Sequence, residues 1–199
     1  MKVTMKTNYS KTETVEVLTH EEQEKFILMS SIHQYGILFR LPLLTGLSMH
    51  ELLGLQWSDI DPENKQIHIR YESCDDGPAY NLYPASAPRS ISLPSYLFGE
   101  LADLYEAQRD TMAKYQLEAQ TNAVASTVKG FHIPPWLLEF FFTQLLAVCK
   151  LPKYSFSILC DTWDYQCQCG IDNPAPYADG SRERQLFTYV YSKMKEVWH

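Results

Sequence analysis

The sequence predicts a mainly helical α+β domain with one small antiparallel sheet. Two capping boxes, Thr19 with Glu22 and Ser48 with Glu51, open helices early in the chain. Residues Lys65 to Tyr71 alternate apolar and polar side chains, as a half-buried strand does. From Ser95 onward apolar residues return at helical spacing. Helices, a short run of strands, then helices again is the pattern of an α+β domain.

The elements follow in order. Residues 1–17 are polar and without period, and read as a flexible leader. Thr19 caps the first helix, whose Phe26, Met29 and Ile32 or His33 share a face. Residues 35–46 are apolar on nearly every side, as in a buried central helix, and Gly46 is its natural stop. Ser48 then caps a short helix holding Leu52, Leu53 and Leu55. A turn at Asp61-Pro62-Glu63-Asn64 leads into the Lys65–Tyr71 strand. Asp75-Asp76-Gly77-Pro78 is a further turn. Ala79–Tyr83 and Arg89–Leu93 are expected as two more strands around a loop containing Pro84 and Pro88. A long helix is expected from Ser95 to about Gln120, with Leu97, Leu101, Leu104 and Tyr105 on one face. Residues 121–130 read as a polar linker, and an apolar helix should run from about Pro134 to Val148. Prolines, glycines and cysteines across 150–180 predict an irregular segment, before a last helix from about Arg182 to Val197.

At 45% hydrophobic and 21% charged residues, the 199-residue chain can bury a core and is not a disordered polypeptide. Lys and Arg number 17 against 24 Asp and Glu, a net charge of -7. That balance argues against tight nucleic-acid binding, whose affinity comes largely from neutralising phosphates, although a local basic face is compatible with it. The N-terminus lacks the apolar core of a secretory signal, and the apolar stretches are too short to span a membrane. A cytoplasmic protein without membrane contact is expected. The five cysteines, Cys74, Cys149, Cys160, Cys167 and Cys169, lack paired C-x-x-C spacing. They read as reduced thiols, with no metal and no cofactor expected.

One block carries more information. Leu18-Thr19-His20-Glu21-Glu22, then Thr45-Gly46-Leu47-Ser48-Met49-His50-Glu51-Leu52-Leu53-Gly54-Leu55-Gln56-Trp57-Ser58-Asp59-Ile60-Asp61, resembles the opening of the phage integrase (tyrosine recombinase) catalytic domain. Ile67-His68-Ile69-Arg70 and Arg89-Ser90-Ile91-Ser92-Leu93-Pro94 extend the match. The resemblance covers residues 18–97 and continues only as isolated landmarks. It implies a DNA breaking-rejoining fold over 18–199, in which a tyrosine hydroxyl attacks a phosphodiester. Arginines, a lysine and histidines stabilise charge and move protons in such a site.

Carried over position by position, the resemblance implies mostly loss. Ser48 stands where the arginine after T-G-L belongs. No lysine occurs between Lys65 and Lys114, and the hairpin lysine position falls near Tyr83. The H-x-x-R motif falls on His132-Ile133-Pro134-Pro135, and Gly180-Ser181 stands for the family's G-H pair. The nucleophile position falls on Tyr191. Losing one fixed stabiliser of this kind costs about two to three decades of rate. The resemblance therefore points to an inactive relative, with Tyr191 and His132 as vestigial catalytic positions. Arg70, Arg89, Arg182 and Arg184 are the candidate DNA contacts. As a helix cap, Ser48 needs no chemical role; the Tyr191 stripe also suits a core face, and the terminal cations a solvated one.

The family's N-terminal DNA-clamping domain is expected to be missing, since about seventeen residues precede the match. Three functions stay open. The first is a degenerate recombinase-like protein of mobile-element origin that still contacts DNA or a recombinase. The second is an interaction module for other proteins without DNA binding. The third is a residually active recombinase with arginines drawn from elsewhere, such as Arg40 or Arg182. No small-molecule substrate is expected.

Overall fold

A computed structural model describes residues 1–6, 12–74, 81–118, 121–127 and 129–170. The expected turn at 75–78, the expected last helix and the positions Tyr191, Arg182 and Arg184 lie outside these residues.

The stretch expected as an unpatterned leader is instead paired. β1 (Lys2–Lys6) and β2 (Thr12–Glu16) form an antiparallel hairpin with Val3 opposite Val15. Its period is two, and polar residues on both faces hide it from a hydrophobicity reading. Behind it the backbone of Leu18 donates to Thr162 Oγ1 at 3.0 Å, a contact across 144 residues.

α1 (His20–Ser31) begins as the capping box requires: Glu22 N donates to Thr19 Oγ1, and Thr19 N donates to Glu22 Oε2 at 2.7 Å. α2 (Ile37–Thr45) is the central helix, buried along its whole length, Arg40 and Pro42 included. Arg40 bonds Ser30 Oγ at 3.2 Å and pairs with Glu100. Gly46 ends α2 in the left-handed region at φ 70°, where a side chain is strained. α3 (Met49–Gly54) follows at once, capped by Ser48. A 3₁₀ turn at Trp57–Asp59 leads into the sheet. Gly54 brings α3 against that sheet, since a Cβ there would lie 2.5 Å from the Tyr71 carbonyl oxygen.

The sheet has three antiparallel strands in the order β3 (Ile60–Asp61), β4 (Gln66–Cys74), β5 (Asn81–Ser92). The count of three matches the expectation but the strands differ. What reads as two segments around Pro84 and Pro88 is one continuous edge strand. Both prolines are tolerated because an edge leaves backbone positions without ladder bonds. The register shifts between Ile69 and Tyr71, which absorbs the irregularity.

α4 (Ser95–Tyr115) ends five residues earlier than expected, at Gln116 with φ 53°. Its buried face is Leu97, Leu101, Leu104 and Gln108; Tyr105 is 41% exposed and packs edge-on to Trp57 at 4.9 Å. Residues 121–127 are not a linker on the surface. Ala123, Val124, Ala125 and Ser126 are buried, and backbone bridges join Gln56 to Ala123 and Ser126 to His132. Gln108 explains how so polar a stretch is buried. Its amide donates to the Val124 and Ser126 carbonyls and accepts from Trp57 Nε1 at 3.2 Å.

α5 (Pro135–Val148) matches its expected span closely. The segment expected to be irregular contains α6 (Ile158–Gln168). Hydrophobic periodicity misses α6 because its buried face is partly polar: Thr162 receives the Leu18 amide, and Gln166 donates to Gln23 Oε1 at 2.8 Å. The core gathers around the rings of Phe26, Phe39, Phe142 and Phe156, with centroids 5.4–6.2 Å apart. Among the described residues no helix is long and apolar enough to cross a membrane.

Candidate functional site

Thr45-Gly46-Leu47-Ser48 is where the chain turns from α2 into α3, and the structure gathers several polar groups around that turn. Ser48 spends its hydroxyl on the cap, accepting from Glu51 N at 3.2 Å, while Glu51 Oε2 accepts from Ser48 N at 2.9 Å. Glu51 is buried and serves a second partner. Arg89, reaching across from β5, donates to both Glu51 oxygens, with the NH2 contact at 3.1 Å. Burial pushes the Glu51 carboxyl up, but the bonds from Arg89 and Ser48 and the Arg89 charge outweigh it and leave it below its ordinary value. Arg89 is raised in turn by its bond to Glu51, against burial, and the charges of Glu51, Glu72 and Asp164 add to this.

α6 closes the other side of the turn. Trp163 lies over Gly46, and the Cys160 thiol donates to the Leu47 carbonyl at 2.8 Å. Burial pushes this thiol up to about 12, with the carboxylates of Asp161, Asp164 and Glu51 adding to the effect, so it is neutral and hydrogen-bonded. Burial also raises Asp161 and Asp164. One arginine surrounded by carboxyl groups and a thiol is a poor receptor for a phosphodiester, which carries its own negative charge.

The remaining candidates lie apart from this cluster or outside the described residues. Arg70 bonds the buried carboxylate of Asp59 and the Ser58 carbonyl at 3.1 Å, while Asp59 also accepts from Gln56 N at 2.9 Å. His68 on the sheet bonds Ser90 Oγ at 2.8 Å. His132 meets α3 at its C-terminal end, where Nε2 donates to the Leu53 carbonyl at 3.3 Å. Burial pushes His132 down to about 4, so near pH 7 the ring is neutral, and its N–H is far too weak an acid to protonate a leaving group. Arg40 is committed to Ser30 and Glu100 inside the fold. Among the described residues no group of three or more His, Cys, Asp or Glu could hold a metal ion.

The depressed His132 has a stability consequence. Between about pH 6.5 and pH 4 an unfolded chain protonates this ring while the folded one does not, so stability falls as pH falls through that window. The loss should be about 1–3 kcal/mol, allowing for partial solvent screening. Urea titrations at pH 7 and pH 4.5 should show His132→Gln losing less stability than wild type over this range. An equal loss in both proteins would show that His132 is not the group responsible.

Sequence reasoning found Ser48 and Arg89 but missed the α6 side of the cluster. The Ser157–Cys160 stretch that starts α6 beside Leu47 carries no local signal of that approach, because the Cys160 contact spans 113 residues.

Comparison with known proteins bears on the fold. No family model matches the chain. It is 40% identical over 169 residues to a tyrosine recombinase XerC-like protein of Caldanaerobacter subterraneus subsp. tengcongensis, covering 75% of this chain. The chain spans 42% of that relative's length. The Tn1549 transposon integrase in complex with transposon right end DNA superposes with a TM-score of 0.65 at 15% identity, over 92% of this chain and 66% of the integrase. XerA recombinase superposes with a TM-score of 0.60 at 14% identity, over 78% of this chain and 50% of XerA.

Proposed function

We propose that this chain, which has the tyrosine recombinase catalytic-domain fold and resembles that family in sequence, is a recombinase-like protein of mobile-element origin that no longer transfers DNA strands. The observation that carries this reading is the fate of the turn after α2. Where the resemblance asks for an arginine, Ser48 caps a helix, and the guanidinium that reaches this turn from β5, Arg89, is doubly bonded to Glu51. The start of α6 supports the same reading. It sets the neutral Cys160 thiol, not a cation, against the Leu47 carbonyl at the turn. On this reading His132 is not the histidine of H-x-x-R. It is a neutral, hydrogen-bonded ring supporting α3.

Strand transfer needs fixed cations on the non-bridging oxygens, and losing one costs about two to three decades of rate. Losing both arginines and the lysine leaves a tyrosine hydroxyl whose ordinary pKa is near 10 without an activating partner. DNA contact on this reading is weak and salt-sensitive, because Arg70 and Arg89 already hold carboxylates and the chain carries a net charge of -7.

The test is covalent capture on a pool of randomised, nicked duplexes, so that no recognition sequence need be known. The expected result is no detergent-stable protein–DNA adduct above that of a Tyr191→Phe variant. An adduct that forms with wild type and vanishes in Tyr191→Phe would overturn the reading.

A further inference from the structure

Residues 32–36 join α1 to α2, and a titratable ring helps to hold that turn. His33 N donates to the Ser30 carbonyl at 3.1 Å, and Gly36 N donates to the His33 carbonyl at 2.8 Å. The Tyr35 amide donates to His33 Nδ1 at 3.1 Å. A ring that accepts through Nδ1 carries its proton on Nε2, so it holds this bond as the neutral form. The pattern is that of an Asx turn, in which a side chain accepts from the backbone two residues on, made here by an imidazole. The turn is also tight, since a Cβ on Gly36 would overlap the Ser30 carbonyl. Tyr35 is buried and stacks on Phe141 of α5 at 5.0 Å. The His33 ring lies 6.0–6.2 Å from those of Tyr35, Phe39 and Phe141, so it meets the turn, α2 and α5 at once.

We propose that His33 is a pH-operated latch on this turn: protonation of its ring withdraws the acceptor from the Tyr35 amide and loosens the turn and its stack on α5. An imidazolium has N–H groups at both nitrogens, so Nδ1 would point a donor at a donor. Rotating the ring by half a turn offers a carbon in its place, which accepts no bond. Attraction of the cation to the three aromatic rings does not replace the lost acceptor. No neighbouring charge shifts the balance. α1 has no charged residue after Lys25, Arg40 is the one charge of α2 and is spent on Ser30 and Glu100, and Glu139 is the one charge of α5. Burial alone pushes His33 below its ordinary value of 6.5. The folded state therefore resists the proton, and the stability of the turn, complete above pH 6.5, is lost as pH falls below it. The inference goes beyond the reading of the Ser48 turn and stands whether or not that turn acts on DNA.

Amide hydrogen exchange of the full chain tests it, with each rate divided by its intrinsic rate at the same pH. The Leu104 amide, in the buried face of α4, reports global opening. Protection of the Tyr35 amide should fall about 2- to 10-fold between pH 7.5 and pH 5 relative to Leu104, the loss expected for one hydrogen bond. Cross-relaxation between the Tyr35 and Phe141 rings should weaken over the same range. In His33→Asn the side-chain oxygen can accept the same bond and does not titrate, so protection should stay high at both pH values. In His33→Ala it should be low at both. A pH response that persists in His33→Asn would overturn the proposal, as would full protection in His33→Ala at pH 7.5. A wild-type fall shared equally by Leu104 would also overturn it, because the opening would then be global.

Discussion

Gly46→Ala should lower stability by about 2–5 kcal/mol, enough to unfold much of a marginally stable domain. Two costs combine at this position. Its φ of 70° strains any residue with a Cβ, and an added Cβ would lie 2.3 Å from Trp163 Cε3, well inside contact distance. Because the clashing atom belongs to a side chain, the two costs can be separated. Urea denaturation of Gly46→Ala, Trp163→Ala and the double variant should show strong non-additivity. The double variant should be more stable than the sum of the single losses predicts by at least about 1 kcal/mol. Simple additivity would mean that Trp163 is not what excludes a side chain from Gly46.

Arg40→Ala is expected to cost about 3–5 kcal/mol, since it empties part of the central helix's packing and strips Glu100 of its partner. The pair itself is not a net source of stability. Arg40 is buried along its length, and its Nε has no hydrogen-bond partner among the described residues. Removing both charges together, as in Arg40→Met/Glu100→Leu, should recover most of the loss, measured by the same denaturation midpoints. A double variant no more stable than Arg40→Ala would show that the ion pair contributes net stability.

How far the fold could be read in advance depended on the range of the interactions that build each part. Thr19, Ser48 and Gly46 announce helix ends through contacts within four residues, and each does so in the structure. Residues 121–127 and α6 were misread because their burial depends on distant polar partners. Gln108 satisfies the first, and Gln23 and the Leu18 amide satisfy the second. The same distinction applies at the site. The absence of an arginine at Ser48 is visible in one residue. The capture of Arg89 by Glu51, 38 positions away, and the approach of Cys160 to Leu47, 113 positions away, are tertiary facts without a local signature.

The bond from the Leu18 amide to Thr162 spans 144 residues, and it constrains when this protein can become itself. At a synthesis rate of about 5–20 residues per second, the partner of Leu18 follows it from the ribosome by roughly 7–30 seconds. Throughout that interval α2, the most apolar element near the start of the chain, lacks the α6 that closes over Gly46. Topology of this kind makes folding a late, collective event, because closure entropy is spent before the distant contacts reward it. The nascent chain thus carries an apolar helix covered only in part, by α1, α3 and α4, for far longer than helix formation itself takes, and it is during synthesis that chaperone capture or misassociation would compete with folding.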